Sequence, residues 1–272
     1  MAQEIREETR RLVAALARMP RLAVILVGDD PASRLYVSLK EKSAEESGIA
    51  FEKTLFPADV LAEKLLKAIE LLNRRDDVDA ILVQIPLPAQ LDEETVIAAI
   101  DPAKDADGFH PANLDALRSG ETDRLPGITE GILRLADASG RALRGAHALI
   151  LANSDVFAFP LAHALLGRGM QVEILLPPLD PDAIAAIAMK SSLIVSAVGA
   201  PGTVHAGMVA DGAVVIDVGT TRLPGGKVAG DVAAADFEAR DVSLTPVPGG
   251  VGPVTVAMLL RRVAEIAKRR QG

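Results

Sequence analysis

Cysteine is absent from the 272 residues. Its absence excludes disulfides, thiolate metal sites and a thiol nucleophile, and it fits a cytoplasmic protein. An excess of positive charge is missing too. The 37 acidic side chains outweigh 29 Lys and Arg for a net charge of −8, which argues against electrostatic binding to nucleic acid or to an anionic membrane. No apolar run is long enough to span a bilayer. Residues 1–18 mix charges with Leu and Ala, so they read as a soluble helix rather than a signal peptide. There is no internal repeat and no low-complexity segment. What remains is an ordinary globular balance, 49% hydrophobic and 24% charged. That is ample for the core of one large α/β domain or two modest ones.

Apolar runs alternate with helical patterns. Short β-branched or apolar strands are predicted at 22–27, 51–55 and 80–85, interleaved with helices at 33–48, 60–73 and 92–100. Residues 101–126 carry no strong period and read as loop and connector. A second series follows, with strands at 147–151, 171–176, 193–197 and 213–218 and helices at 129–139, 160–166 and 180–189. Strands separated by helices and buried on both faces imply parallel sheets covered by helices. Two such series predict two α/β domains, 1–124 and 125–252, with a last helix at 253–270 returning to the first. Phe157 and Phe159 are expected in the core. Asp180 reads as a helix N-cap rather than a ribose ligand.

Four segments carry candidate chemistry. Tyr36, the only tyrosine, and Lys40 are one helical turn apart and share a face. A desolvated lysine there could lose its proton and act as a base, although spacing alone favours a solvated surface charge. Gln84 ends the apolar strand before Pro86 and Pro88, so it either faces a polar site at the strand's carboxyl end or meets water. Asp105 and Asp107 could hold a substrate edge through paired hydrogen bonds, but the segment also reads as an Asp-Gly turn. It lacks the further oxygens of a calcium loop, so no metal is expected. The run Thr245-Pro246-Val247-Pro248-Gly249-Gly250-Val251-Gly252-Pro253 fixes a backbone path that permits close approach to a ligand, or serves as a rigid hinge. Of the four histidines, His110 lies in the Asp107 segment, while His147, His163 and His205 read as structural or exposed.

In order, Val24-Ile25-Leu26-Val27-Gly28-Asp29-Asp30-Pro31-Ala32-Ser33, Tyr36 with Lys40, and Val83-Gln84-Ile85-Pro86-Leu87-Pro88 resemble the bifunctional methylenetetrahydrofolate dehydrogenase/cyclohydrolases. So do Lys104-Asp105-Ala106-Asp107-Gly108-Phe109-His110-Pro111, Ser196-Ala197-Val198-Gly199, Val215-Ile216-Asp217-Val218-Gly219, Gly230-Asp231-Val232 and Pro248-Gly249-Gly250-Val251-Gly252-Pro253 with Thr255. Order and spacing make the resemblance specific from about Arg21 to the last helix.

The resemblance implies a folate-binding catalytic domain followed by a Rossmann-like domain, in a cytoplasmic homodimer. The implied chemistry is oxidation of 5,10-methylenetetrahydrofolate with NADP or NAD, then hydrolysis of the methenyl product to 10-formyltetrahydrofolate. Tetrahydrofolate derivatives would be the partners. Lys40 would be the catalytic lysine, Gln84 its polar partner, Tyr36 the ring along the folate and Asp107 the anchor of the pterin. Pro248, Gly249 and Gly250 would lie beside the folate, and Asn153, Ser154 and Thr220 would meet the cofactor.

The second domain departs from the family pattern. The family's Gly-Arg-Ser turn is here Ala152-Asn153-Ser154-Asp155, with no glycine between Gly145 and Gly167. Asn153 stands where an arginine would suit a 2′-phosphate, and Asp155 adds negative charge. The usual His-Ser-x-Thr stretch is Leu175-Leu176-Pro177-Pro178, and Pro-Cys-Thr-Pro is Pro126-Gly127-Ile128-Thr129. The stretch before Arg21 is shorter than usual. The leading expectation is the bifunctional enzyme. Its alternatives are a cyclohydrolase with an impaired redox half and a non-catalytic folate-binding paralogue.

Overall fold

A computed structural model describes residues 1–122 and 124–272. Asp123, within the connector, lies outside the described residues. The first half runs α1 (Ala2–Ala14), β1 (Arg21–Val27), α2 (Pro31–Glu46), β2 (Ala50–Phe56), α3 (Ala62–Asn73), β3 (Ala80–Val83), α4 (Glu93–Ala98) and α5 (Pro111–Arg118). The second half runs α6 (Gly127–Ala138), β4 (His147–Ala152), α7 (Asp155–Gly167), β5 (Gln171–Leu175), α8 (Pro181–Ala188), β6 (Leu193–Ala197) and β7 (Val214–Asp217). Short strands β8 (Thr221–Arg222), β9 (Val228–Ala229) and β10 (Ser243–Leu244) precede the long α9 (Val251–Gln271). The chain divides into two units, Met1–Ile128 with Thr255–Gly272, and Thr129–Val254.

In the first unit β1 lies between β2 and β3 in a parallel sheet. Its residues alternate between two cores. Leu22, Val24 and Leu26 face Val37 and Ala44 of α2 and Leu259, Leu260, Val263 and Ile266 of α9. Ala23, Ile25 and Val27 face Leu65, Ile69 and Leu72 of α3. This is the two-sided burial expected of a central parallel strand, and each fully buried Leu or Ile contributes roughly 1.5–3 kcal/mol.

Local chemistry sets where α2 begins. Gly28 takes a positive φ of 84° at the end of β1, and Asp30 accepts from the Ser33 N–H at 2.7 Å. Pro31 occupies the first helical turn, where its missing N–H costs nothing. Lys104 is fully buried. Its Nζ donates to the carbonyls of Leu72, Asn73 and Arg75 at 3.1, 2.7 and 2.7 Å, which satisfies the C-terminal end of α3.

In the second unit five parallel strands lie in the order β10-β7-β6-β4-β5. Leu149 and Leu151 of β4 join Ile194 of β6 and Val215 of β7 in one core, against Ile184 and Ala188 of α8. Helix α7 packs against β4 and β5. The antiparallel pair β8-β9 stands apart.

Several local expectations need correction. The supposed connector 101–126 holds α5 and a 3-10 turn at Pro102–Lys104. Two helical turns with only Leu114 and Leu117 buried are too short to register as a period. Helix α7 starts at Asp155, so Pro160 lies inside it rather than opening it. Helix α9 begins at Val251, ahead of Pro253, and α2 begins at Pro31. The strand predicted to 85 ends at Val83. Strands β2 and β5, each at a sheet edge, are not buried on both faces, whereas β3, the other edge of the small sheet, is buried throughout. Phe157 and Phe159 are half-buried, not core, and the Phe159 ring lies 5.9 Å from that of His163. Asp180 does cap α8, accepting from the Asp182 N–H at 3.0 Å.

Candidate functional site

The first cluster forms at the carboxyl end of the small sheet, where open α/β folds gather ligands. Gln84 follows β3 directly, and its N–H donates to the Ile25 carbonyl at 2.9 Å, continuing the ladder. Its amide donates to the Ile85 carbonyl at 2.6 Å, which leaves Oε1 to accept from Lys40 Nζ at 2.9 Å. Lys40 is half-buried rather than a solvated surface charge. Burial holds its ammonium below the ordinary lysine range, while the charge of Asp107 pulls the other way. Tyr36, one turn earlier on α2, is half-buried beside it on that helix face.

The two aspartates of the next segment have opposite fates. Asp105 is buried and accepts from the N–H groups of Gly108 and His110 at 2.9 Å each and from Asn113 Nδ2 at 3.0 Å. The Ala106 N–H donates to the Ile81 carbonyl at 3.1 Å, which ties the segment to β3. Asp107 is thereby turned outward. Its side chain reaches water, yet the protein around it strips part of its hydration and raises its carboxyl above the usual range. Lys40 and Arg262 oppose that rise and Asp105 adds to it. His110 is a structural cap: Nδ1 accepts from the Ala112 N–H at 3.0 Å and Nε2 meets the Ala98 carbonyl at 3.2 Å.

Arg262 is a participant that pattern reading missed. It is buried on α9, far along the chain, with Nε 3.3 Å from the Asp105 carbonyl and Nη1 2.9 Å from that of Leu125. Gly108 faces this guanidinium at a φ of 89°, and a Cβ there would meet it at 3.0 Å. Only the burial of a charge on a packed helix marks it, and that is invisible in sequence.

The second cluster lies at the carboxyl ends of β4, β6 and β7. Asn153 Nδ2 donates to the Val198 carbonyl at 3.0 Å, and Thr221 Oγ1 to that of Gly199 at 3.0 Å. Ser154 is the N-cap of α7, and its hydroxyl makes no capping bond to the turn. Asn153, Ser154 and Thr220 are exposed. Beneath them, two buried carboxylates lace the loops. Asp231 accepts from Ser196 Oγ and the Val198 N–H at 2.8 Å each and from the Ala200 N–H at 2.9 Å. Asp217 accepts from the N–H groups of Gly219, Asp231 and Val232 at 3.0, 2.9 and 3.0 Å. Burial raises the Asp217 carboxyl, the N–H bonds oppose that rise, and the charge of Asp231 adds to it.

Pro248, Gly249 and Gly250 form the turn before α9. Gly249 takes a φ of 108°, and a Cβ on Gly250 would sit 2.6 Å from the Pro246 carbonyl, so both positions favour glycine. Among the described residues no group of three His, Asp or Glu could hold a metal ion, and no helix is long and apolar enough to cross a membrane.

A parallel five-stranded sheet with polar loops at its carboxyl ends, in a chain that also carries a half-buried lysine paired with a glutamine, defines a two-unit α/β enzyme of the dinucleotide-binding class. The tetrahydrofolate dehydrogenase/cyclohydrolase catalytic-domain model matches residues 1–107, and the family's NAD(P)-binding-domain model matches 126–271. The chain belongs to that family. The bifunctional protein FolD of Acidiphilium cryptum is 43% identical over 100% of this chain and 96% of its own. A crystal structure of the bifunctional FolD enzyme from Campylobacter jejuni is 37% identical with a TM-score of 0.92, covering 99% of this chain and 96% of that one. The Trypanosoma brucei FolD structure, complexed with NADP cofactor and inhibitor, is 34% identical with a TM-score of 0.92, covering 98% and 95%.

Proposed function

We propose that this chain oxidises 5,10-methylenetetrahydrofolate with a nicotinamide dinucleotide and hydrolyses the methenyl product to 10-formyltetrahydrofolate. The observation that carries the reading is the Lys40–Gln84 pair at 2.9 Å with Asp107 as its electrostatic neighbour. Burial keeps a larger neutral fraction of Lys40 than a free lysine would have. The neutral amine takes a proton from water as the water oxygen bonds to the methenyl carbon. It then returns that proton to the ring nitrogen N5 as the carbon–N5 bond breaks, and the remaining hydroxyl proton passes to solvent as the carbonyl forms, which leaves the formyl group on N10. Gln84 holds the ammonium between these steps. Asp107 accepts hydrogen bonds from the pterin edge, and Tyr36 lies along the folate.

The loops of the second cluster have a composition that suits a dinucleotide. The first N–H groups of α7 lack helical partners and favour phosphate. Asn153, Ser154 and Thr220 offer amide and hydroxyl groups to phosphate or ribose. Bound there, the nicotinamide supplies a hydride acceptor. We assign residues 1–124 and 253–272 to the folate side and 125–252 to the cofactor side, in a cytoplasmic homodimer, on the strength of the family resemblance.

The test is oxidation of methylenetetrahydrofolate with NADP and NAD in separate reactions, beside hydrolysis of methenyltetrahydrofolate without either. Turnover in both assays is expected. Hydrolysis alone would leave a cyclohydrolase on an altered dinucleotide turn, and silence in both would leave a folate-binding protein. A Lys40→Ala variant that hydrolyses as fast as the wild type would remove Lys40 from the mechanism.

A further inference from the structure

A polar concavity lies wholly within the first unit. It encloses about 480 Å³ between the 3-10 turn at Pro102–Lys104, α5, the start of the connector and the last turns of α9. Four guanidinium groups line it, those of Arg124, Arg262, Arg269 and Arg270, against two carboxylates, Asp105 and Glu121. The carboxylate of Asp105 is already engaged by two backbone N–H groups and Asn113. Arg262 and Arg269 are seven residues apart, two turns along one face of α9. Arg270 reaches Asp79 only at 3.9 Å, and that carboxylate is held at 2.7 Å by Arg18. Among the described residues neither Arg124 nor Arg269 has a carboxylate at ion-pair distance. The Arg269 guanidinium is destabilised by burial and then by the like charges of Arg124 and Arg262, and the charge of Glu265 opposes this.

Gathering four guanidinium groups against two lining carboxylates, one of them already engaged, is unfavourable in a partly desolvated space. In a chain whose net charge is −8, such a cluster is not a by-product of general basicity. We propose that this cavity is a binding site for a compact phosphate group, either inorganic phosphate or the end of a phosphate ester. A phosphate brings close to two negative charges and three or more acceptor oxygens, whereas a carboxylate brings one charge and two oxygens. Guanidinium forks arriving from both α9 and the connector match the former. The site stands apart from Lys40 and Gln84. Arg262 and Asp105 serve both, through the segment that orients Asp107.

The experiment is calorimetric titration of the full chain in phosphate-free buffer at constant ionic strength. The probes are inorganic phosphate, glycerol phosphate and citrate. Wild type should bind phosphate at one site per chain, and an Arg124→Gln/Arg269→Gln double variant about tenfold or more weaker. The variant's unfolding midpoint without phosphate should equal or exceed that of the wild type, because repulsion has been removed. Glycerol phosphate binding as well as phosphate would extend the site to esters, and binding of phosphate alone would restrict it to the free ion. Should the double variant not fold, Arg269→Lys keeps the charge and removes the fork, and it should still weaken binding several-fold. The proposal is overturned by no phosphate binding, by affinity unchanged in the variants, or by citrate binding where phosphate does not.

Discussion

Lys40 and Gln84, 44 residues apart in sequence, meet through a 2.9 Å hydrogen bond from Nζ to Oε1. The acceptor is neutral, so it steadies the ammonium without cancelling the desolvation that lowers the lysine. Gln84→Leu keeps the volume and removes the acceptor. The ammonium then loses stabilisation and its pKa falls further. Hydrolysis requires neutral lysine, so the rate rises with pH through the Lys40 pKa, and that rise should move to lower pH in the variant. The plateau rate should fall about tenfold as the amine loses its orientation. An unmoved pH profile at the wild-type rate would show that the pair has no part in catalysis.

Asp107 acts on the same amine from the opposite side of the ledger, because its charge raises the lysine that burial lowers. Asp107→Asn removes that charge, so the hydrolytic pH profile should again shift towards acid. It should differ from Gln84→Leu in the second readout. Loss of a charged acceptor for the pterin should raise the folate KM about tenfold with a smaller change in kcat. A KM equal to wild type would assign Asp107 to lysine tuning alone.

The strand series and its parallel character were legible because buried strands such as 22–27 are unbroken apolar runs, closed here by Gly28 before the Asp30 cap of α2. Lys40 was not legible by itself: nothing local distinguishes it from other lysines, and only the fold of β3 against α2 brings Gln84 to it. Helix α5 escaped because two turns give no period, and its cap, His110, is not among the usual capping residues. Arg262 escaped for a different reason. Its partners are the carbonyls of Asp105 and Leu125, and backbone acceptors leave no trace in side-chain identity. Phe157 and Phe159 misled because hydrophobicity reports what a residue prefers, whereas the first turns of α7 sit at the open end of the sheet.

The paired carboxylates of the second unit explain two glycines. A Cβ on Gly230 would overlap the Asp217 carboxylate, and one on Gly219 would overlap that of Asp231. Each carboxylate is fixed by three donors and has nowhere to retreat. Gly230→Ala should therefore cost roughly 3 kcal/mol or more in urea unfolding, through displaced hydrogen bonds and strain. Gly252→Ala is the matched control. It lies in α9 with open space around its Cα, so alanine there should be neutral or stabilise by up to about 1 kcal/mol. Equal stabilities of the two variants would show that the carboxylates yield more readily than their bonding implies.

Asn153 bridges two loops, since its Nδ2 donates to the Val198 carbonyl at 3.0 Å while the residue stays exposed. On the proposed reading it stands where the cofactor's ribose would lie, next to Asp155 in the first turn of α7. Neither side chain carries a positive charge to pair with a 2′-phosphate, and the charge of Asp155 opposes one. Asn153→Arg adds a fork suited to phosphate at the cost of the loop bridge, about 1 kcal/mol. The ratio of kcat/KM for NADP over NAD should therefore rise about tenfold, mostly through the KM for NADP. Stability should fall slightly, and methenyltetrahydrofolate hydrolysis, which uses no dinucleotide, should be unchanged. If the ratio stays constant while stability falls, Asn153 is a loop tie and the ribose lies elsewhere. If hydrolysis falls in parallel with oxidation, the substitution has disturbed more than the cofactor loops.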